Sequence, residues 1–153
     1  MPMQRLRQYL EENHISYELI PHPETPTAQQ TAAAAHVPGK ELAKTVIVAI
    51  DGRFAMVVLP APDELDLDKL KKVVGTNDVW LASEDDFQNI FGDCELGAMP
   101  PFGNLYDVPV FVDEHLREDA RIAFNAGNHR ELIRMPYADF ERLVHPVVAS
   151  LHA

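Results

Sequence analysis

An Asp51-Gly52 dipeptide separates two runs of strand-forming residues, 43–50 and 53–59, and constrains the fold more than any other feature of the chain. A two-residue Asp-Gly connection suits the turn whose twist matches that of the strands it joins. Both central residues of that turn need positive φ, which glycine adopts without steric cost. The two runs are therefore predicted to pair as an antiparallel hairpin, with Lys44 near its open end.

Around the hairpin the pattern changes repeatedly. Leu6, Tyr9 and Leu10 give residues 3–13 a helical spacing. Residues 16–20 read as extended, and Pro21, Pro23 and Pro26 exclude a helix in the segment that follows, because each disfavours the α conformation of the residue before it. Thr27 with Gln30 forms a capping box for an alanine-rich helix that stops before Pro38-Gly39. Asp66 caps a helix running to Val74, with Gly75 just past its end. A short strand is predicted over 79–82, and Ser83 with Asp86 caps a helix ending near Gly92. Strands are predicted over 108–112, 121–125 and 131–135, the last two flanking the turn Ala126-Gly-Asn-His129, and a helix over 137–143 is halted by Pro146. Helices and hairpin-linked strands interleave without regular βαβ alternation. The expected fold is α+β: a single domain over 1–153 with a mixed, mainly antiparallel, barrel-like sheet and surrounding helices.

The chain of 153 residues is 46% hydrophobic, enough for one domain with its own core. No apolar run approaches the ~20 residues that cross a bilayer, and Met1-Pro-Met-Gln-Arg-Leu-Arg7 lacks the apolar core of a secretory signal. Cys94 is the single cysteine, so no internal disulfide is available, and a cytoplasmic setting is expected. The net charge of −11 argues against a long nucleic-acid footprint, since phosphate binding rests on a basic face. It does not argue against a short one: Lys40 and Lys44, then Lys69, Lys71 and Lys72, then Arg130 and Arg134 are grouped.

Three places could carry chemistry. Lys44 precedes the apolar run Thr45-Val-Ile-Val-Ala-Ile50 and could bind a phosphate or a polarised carbonyl, although the strand alone favours an ordinary strand-end lysine with its stem on the core. The run Gly97-Ala-Met-Pro-Pro101-Phe102-Gly103 fixes a backbone path with few alternatives. Such a loop either aims main-chain N–H groups at a developing oxyanion or is simply a rigid connection into the next strand; composition leaves the two even. Gly127 permits a tight turn in which His129 could orient a water, or merely be exposed. The histidines show no zinc-binding spacing, Cys94 has no base marked out for it, and no glycine-rich phosphate loop is present, so neither metal nor cofactor is expected.

Taken together, three landmarks resemble the YbaK/prolyl-tRNA synthetase-associated domain family of aminoacyl-tRNA deacylases, over nearly the whole chain. They are the alanine-rich helix leading through Val37-Pro-Gly-Lys-Glu-Leu-Ala-Lys44-Thr45 into a strand, the Gly97-x-x-x-Pro101 loop continuing as Phe102-Gly103, and the Gly127/His129 turn. The resemblance implies hydrolysis, in trans, of the ester joining a mischarged amino acid to the 3′ end of tRNA, with alanine on proline tRNA the best single substrate. It implies catalytic roles for Lys44, Gly97 and Pro101, and a substrate-binding surface of Thr45, Ala98, Met99, Pro100, Phe102, Gly103, Gly127 and His129. Lys44 would meet the terminal phosphate or the ester, and the loop backbone would position the aminoacyl carbonyl and the water. The implied partners are the tRNA acceptor end and an aminoacyl-tRNA synthetase, with neither DNA nor membrane. Relatives often carry a small polar residue where Pro100 stands; its ring removes an N–H donor and stiffens the loop, which bears on which amino acid fits. A non-catalytic module that keeps the pocket to bind tRNA or a small ligand, and a hydrolase of another activated acyl compound, are the competing readings.

Overall fold

A computed structural model describes residues 4–87, 89–95 and 97–153. The hairpin forms as expected. Strands β2 (Ala43–Ile50) and β3 (Arg53–Pro60) pair without a bulge from Ala43↔Pro60 to Ile50↔Arg53. Asp51 and Gly52 take φ of 50° and 79°, the paired positive values that the tight turn demands.

On one side of the hairpin, β4 (Val79–Leu81) runs antiparallel to the last three residues of β2. On the other, β5 (Val110–Asp113) and then β8 (Val147–Ala149) add in parallel, giving the order β4-β2-β3-β5-β8. A second, antiparallel sheet has the order β1-β7-β6, from β1 (Glu18–Pro21), β7 (Glu131–Pro136) and β6 (Arg121–Asn125). The fold is α+β with mixed, mainly antiparallel pairing, as expected.

The expected barrel, however, does not close. The two sheets meet at one parallel bridge, Leu42↔Ala123, and otherwise stack through a shared core. In that core Ile47, Met56, Val58, Val110 and Val112 of the larger sheet face Ile122, Phe124, Ile133 and Met135 of the smaller. Leu6 and Leu10 of α1 (Gln4–Glu12) and Phe140 of α6 (Tyr137–Val144) fill it from the sides. The opposite face of the larger sheet, with Val48, Ala55, Val57, Leu59 and Phe111, packs on Leu70 of α3 (Leu67–Val74).

Caps fall where the sequence places them. Thr27 Oγ1 accepts from Gln30 N at the start of α2 (Ala28–Ala34), and the Asp66 carboxylate accepts from Asp68 N and Lys69 N at the start of α3, which ends on Gly75 at φ 76°. The helix expected to end near Gly92 is shorter than that: α4 covers Glu84–Phe87, and residues 89–92 form turns and a bend, while Gln88 and Met3, the first residue of the expected N-terminal helix, lie outside the described residues. Besides the single 3₁₀ turns at Gly39–Glu41 and Gly103–Leu105, two short elements escape the sequence reading: α5 (Glu114–Arg117) and β8, a run of three residues behind Pro146.

Both depend on Asp113, which is wholly buried. One carboxylate oxygen accepts from Leu151 N at 2.8 Å, from His152 N at 3.0 Å and from the His152 ring at 2.8 Å; the other accepts from His115 N and caps α5. Burial works against the charge, yet these hydrogen bonds outweigh it and hold the carboxyl below its ordinary pKa. Replacing Asp113 with Ala strands several buried donors, so Asp113→Ala is expected to cost about 3 kcal/mol or more of unfolding free energy in a urea titration.

Candidate functional site

Main-chain hydrogen bonds bring the 97–101 loop and the 126–129 turn together. Glu95 N donates to Gly127 O at 2.8 Å, and Gly127 N donates to Ala98 O at 3.1 Å, so Gly127 is held by its backbone at both ends of the Glu95–Ala98 turn. Within the loop, Ala98 N donates to Glu95 O at 3.0 Å. The Glu95 carboxylate accepts from His129 N at 2.8 Å, a bond spanning 34 residues that ties the turn to the loop a second time. Gly97 and Gly127 both have positive φ, 81° and 92°.

The consequence is local and specific. Gly97 lies at the surface, and a Cβ placed on it would stand 3.5 Å from Cε1 of His129. Backbone at Gly97 and the imidazole of His129 are therefore immediate neighbours. The turn is further set by Arg130 N donating to Asn128 Oδ1 and by Ala126 N donating to Glu131 O.

Past Gly97 the loop turns inward, and residues 98–103 are all buried. Phe102 has no exposed surface and packs its ring against Tyr9, Phe124 and Phe140, with centroids 6.2, 5.5 and 5.5 Å away. Gly103 has no room for a side chain: a Cβ would stand 2.3 Å from the carbonyl oxygen of Val108. Both residues anchor the loop from beneath. Pro100 and Pro101 carry no N–H, and that of Ala98 is committed to Glu95, so the amides of Gly97 and Met99 are the loop's candidate donors.

Lys44 and Thr45 reach this region along β2. From the Leu42↔Ala123 bridge the two chains run in the same direction, which brings Lys44 level with Asn125, two residues before Gly127. Because β4 pairs only with Val48, Ala49 and Ile50, the first half of β2 has, among the described residues, no ladder partner on that edge, although β6 packs beside it. By strand alternation Lys44 leaves the sheet on the face of Val46 and Val48, Thr45 on that of Ala43 and Ile47, and Met99 belongs to the core on the Thr45 side. Among the described residues no side-chain hydrogen bond or ion pair engages Lys44, and its side chain leaves the sheet on the face opposite Met99. Glu95 was not legible as part of the site: nothing in the sequence marks a carboxylate that serves a histidine amide so far along the chain.

Cys94 borders the loop, with Sγ 3.2 Å from the Tyr106 hydroxyl and 3.6 Å from Asp93. Burial, reinforced by the Asp93 charge, pushes the thiol up to about 11. It is protonated at neutral pH and is a poor nucleophile there. Alkylation by iodoacetamide is expected to stay slow near neutrality and to rise only as the pH approaches about 11; fast labelling at neutral pH would contradict the burial argument.

The family model of the aminoacyl-tRNA editing domain matches residues 22–143. The proline–tRNA ligase of Staphylococcus saprophyticus is 34% identical over 122 residues, 76% of this chain and 21% of the ligase. That of a Staphylococcus aureus strain is 36% identical over 103 residues, 67% of this chain and 18% of the ligase. The chain thus spans about a fifth of the length of these relatives. A crystal structure solved as a candidate trans-editing enzyme for prolyl tRNA synthetase superposes with a TM-score of 0.85 at 22% identity, covering 99% of this chain and 96% of the other; at that identity it speaks for the fold. The 97–101 loop, the 126–129 turn and Lys44 all fall inside the matched span, and the chain belongs to the aminoacyl-tRNA editing domain family.

Proposed function

We propose that the chain is an aminoacyl-tRNA deacylase that acts in trans, hydrolysing the ester between a small, wrongly attached amino acid and the terminal ribose of tRNA. The observation that carries this reading is the double stitching of the Gly97 loop to the Gly127/His129 turn, which sets a glycine backbone against an imidazole at the protein surface. Membership in the editing-domain family supplies the reaction class.

In this reading the aminoacyl carbonyl oxygen sits against the amides of Gly97 and Met99. As water adds to the carbonyl carbon, those donors take up the charge on the oxyanion. The C–O bond to the ribose then breaks, the ribose oxygen leaves with a proton, and the free amino acid retains the water oxygen. His129, held through its backbone by Glu95, lines the amino-acid pocket and orients the water. Lys44, near the start of β2, contacts the phosphate of the terminal nucleotide. An aminoacyl ester is already activated, so positioning and oxyanion stabilisation suffice without a covalent intermediate.

Alanine on proline tRNA is the preferred substrate in this proposal. The matched ligases are specific for proline by name, and a loop stiffened by adjacent prolines at 100 and 101 suits a small side chain. The net charge of −11 fits contact with the acceptor end alone. Docking to a synthetase and a cytoplasmic setting belong to the same proposal.

A panel of mischarged tRNAs tests it. Cleavage of alanyl-tRNA(Pro) well above the buffer rate is expected, and Lys44→Ala should lose about 100-fold in kcat/KM with an unchanged unfolding midpoint. Gly97→Ala forces a side chain into positive φ beside His129 and should cost a comparable factor, chiefly in kcat. If no charged tRNA is cleaved but binding persists, the protein is a recognition module instead. Dependence of the rate on the acceptor stem separates a tRNA editor from a hydrolase of other acyl compounds.

A further inference from the structure

Beside the C-terminal end of β5, four residues far apart in the chain converge. Asp63, Asp113, His115 and His152 each offer one ligand-type atom, and these atoms all lie within 4.8 Å of one another. His115 Nδ1 is 2.8 Å from Asp63 Oδ2 and 3.6 Å from Asp113 Oδ2, while His152 Nδ1 is 2.8 Å from Asp113 Oδ1. The imidazoles stack with centroids 3.8 Å apart. Two nitrogens and two carboxylates make a four-donor set with the charge to neutralise a divalent cation.

Three observations make this more than a pair of Asp–His contacts. First, the donors are already held: Leu151 N, His152 N and His115 N all donate to Asp113, which orients its carboxylate as outer partners orient the ligands of a metal. Second, Asp63 and His115 line an open cavity of about 400 Å³ that also contains Asp119, so a cation has a way in. The Asp119 side chain is 5% exposed, and its buried Oδ2 has no hydrogen-bond partner among the described residues. Its other oxygen is 3.9 Å from Lys40, which lines the same cavity together with Asp63 and Glu118, so three carboxylates there face one lysine. Third, the surroundings are arranged to hold the C-terminal residues against the segment leading into α3. Asp66 N donates to Leu151 O, Ala153 N to Glu64 O, and Lys69 Nζ to His152 O.

We propose that Asp63, Asp113, His115 and His152 form a zinc site of the closed, structural kind, which fastens the C-terminal segment to α5 and to the β3–α3 connection. Tetrahedral coordination with bonds of ~2.0–2.1 Å spaces the donors about 3.3 Å apart, so the 2.8 Å contacts open slightly and the longer separations contract. The stacked imidazoles splay as both Nδ1 atoms turn to one point. Calcium does not suit the cluster, because it takes about six to eight oxygen ligands and half of these donors are nitrogens. The site is separate from the loop and turn of the proposed deacylase, and its metal takes no part in that reaction.

The test uses the full chain after chelation and dialysis. Calorimetric titration should show one Zn²⁺ per chain, and saturating Zn²⁺ should raise Tm by about 5 °C. Co²⁺ in its place should give the intense visible absorption of a tetrahedral complex. His115 and Asp63 are partly exposed, so His115→Gln and Asp63→Asn should keep the circular dichroism of the parent. Each should weaken Zn²⁺ binding by more than about 100-fold, since loss of an outer partner alone costs about 10–100-fold. His152→Gln should do the same. Deacylation is the control and should not respond to chelation. No stoichiometric binding, a weak octahedral Co²⁺ spectrum, or unaltered affinity in the three variants would each overturn the site, whatever becomes of the deacylase reading.

Discussion

Strand β3 is buried on both faces, and most of the molecule is arranged by that burial. Met56 and Val58 enter the core between the sheets, while Ala55, Val57 and Leu59 enter the core under α3. Each large apolar side chain so buried contributes about 1.5–3 kcal/mol, and no polar residue interrupts the run from Ala55 to Leu59. A strand of this kind has to be paired on both edges. The hairpin supplies β2 on one side, and the parallel partner β5 supplies the other. Parallel pairing cannot be closed by a tight turn; it needs a long crossover. That crossover carries α3, β4, α4 and the 97–101 loop, so the placement of the candidate site follows from the way β3 is covered.

The loop and the turn then meet as two pieces of backbone, not as a cluster of reactive side chains. The glycines allow it: Gly97 and Gly127 hold positive φ where the chains exchange hydrogen bonds, and Gly103 lets the loop return against the carbonyl of Val108. Phe102, locked among Tyr9, Phe124 and Phe140, keeps the loop from lifting. Rigid backbone of this type suits chemistry that depends on the placement of amides. It also separates the roles of residues that look alike in the sequence, with Gly97 facing outward and Phe102 and Gly103 holding it there.

Much of the local structure was legible because its causes are local. Asp51-Gly52 dictates its own turn, Thr27 and Asp66 cap their own helices, and Gly75 ends one. The misses have equally physical causes. β8 is too short to show a period and exists because it pairs with β5, and α5 exists because Asp113 caps it while being held by residues near position 151. The expected barrel rested on strand content, whereas closure depends on edge pairing; β4 covers too little of β2, and one bridge joins the sheets.

By itself the sequence determined the hairpin, the caps, the class of the fold and the three landmarks that resemble the editing family, since each is written in adjacent or periodically spaced residues. Only the tertiary structure decided which of those residues meet. It put Gly97 against His129 through a carboxylate 34 residues away, placed Lys44 on the half of β2 that β4 does not pair, and buried most of the loop. It also gathered Asp63, Asp113, His115 and His152 into one cluster, although their linear spacing shows no metal-binding pattern. Spacing along a chain reports ligands only when they share a turn or a helix; here they come from separate connections and the C-terminal segment, and long-range pairing alone brings them within reach of one another.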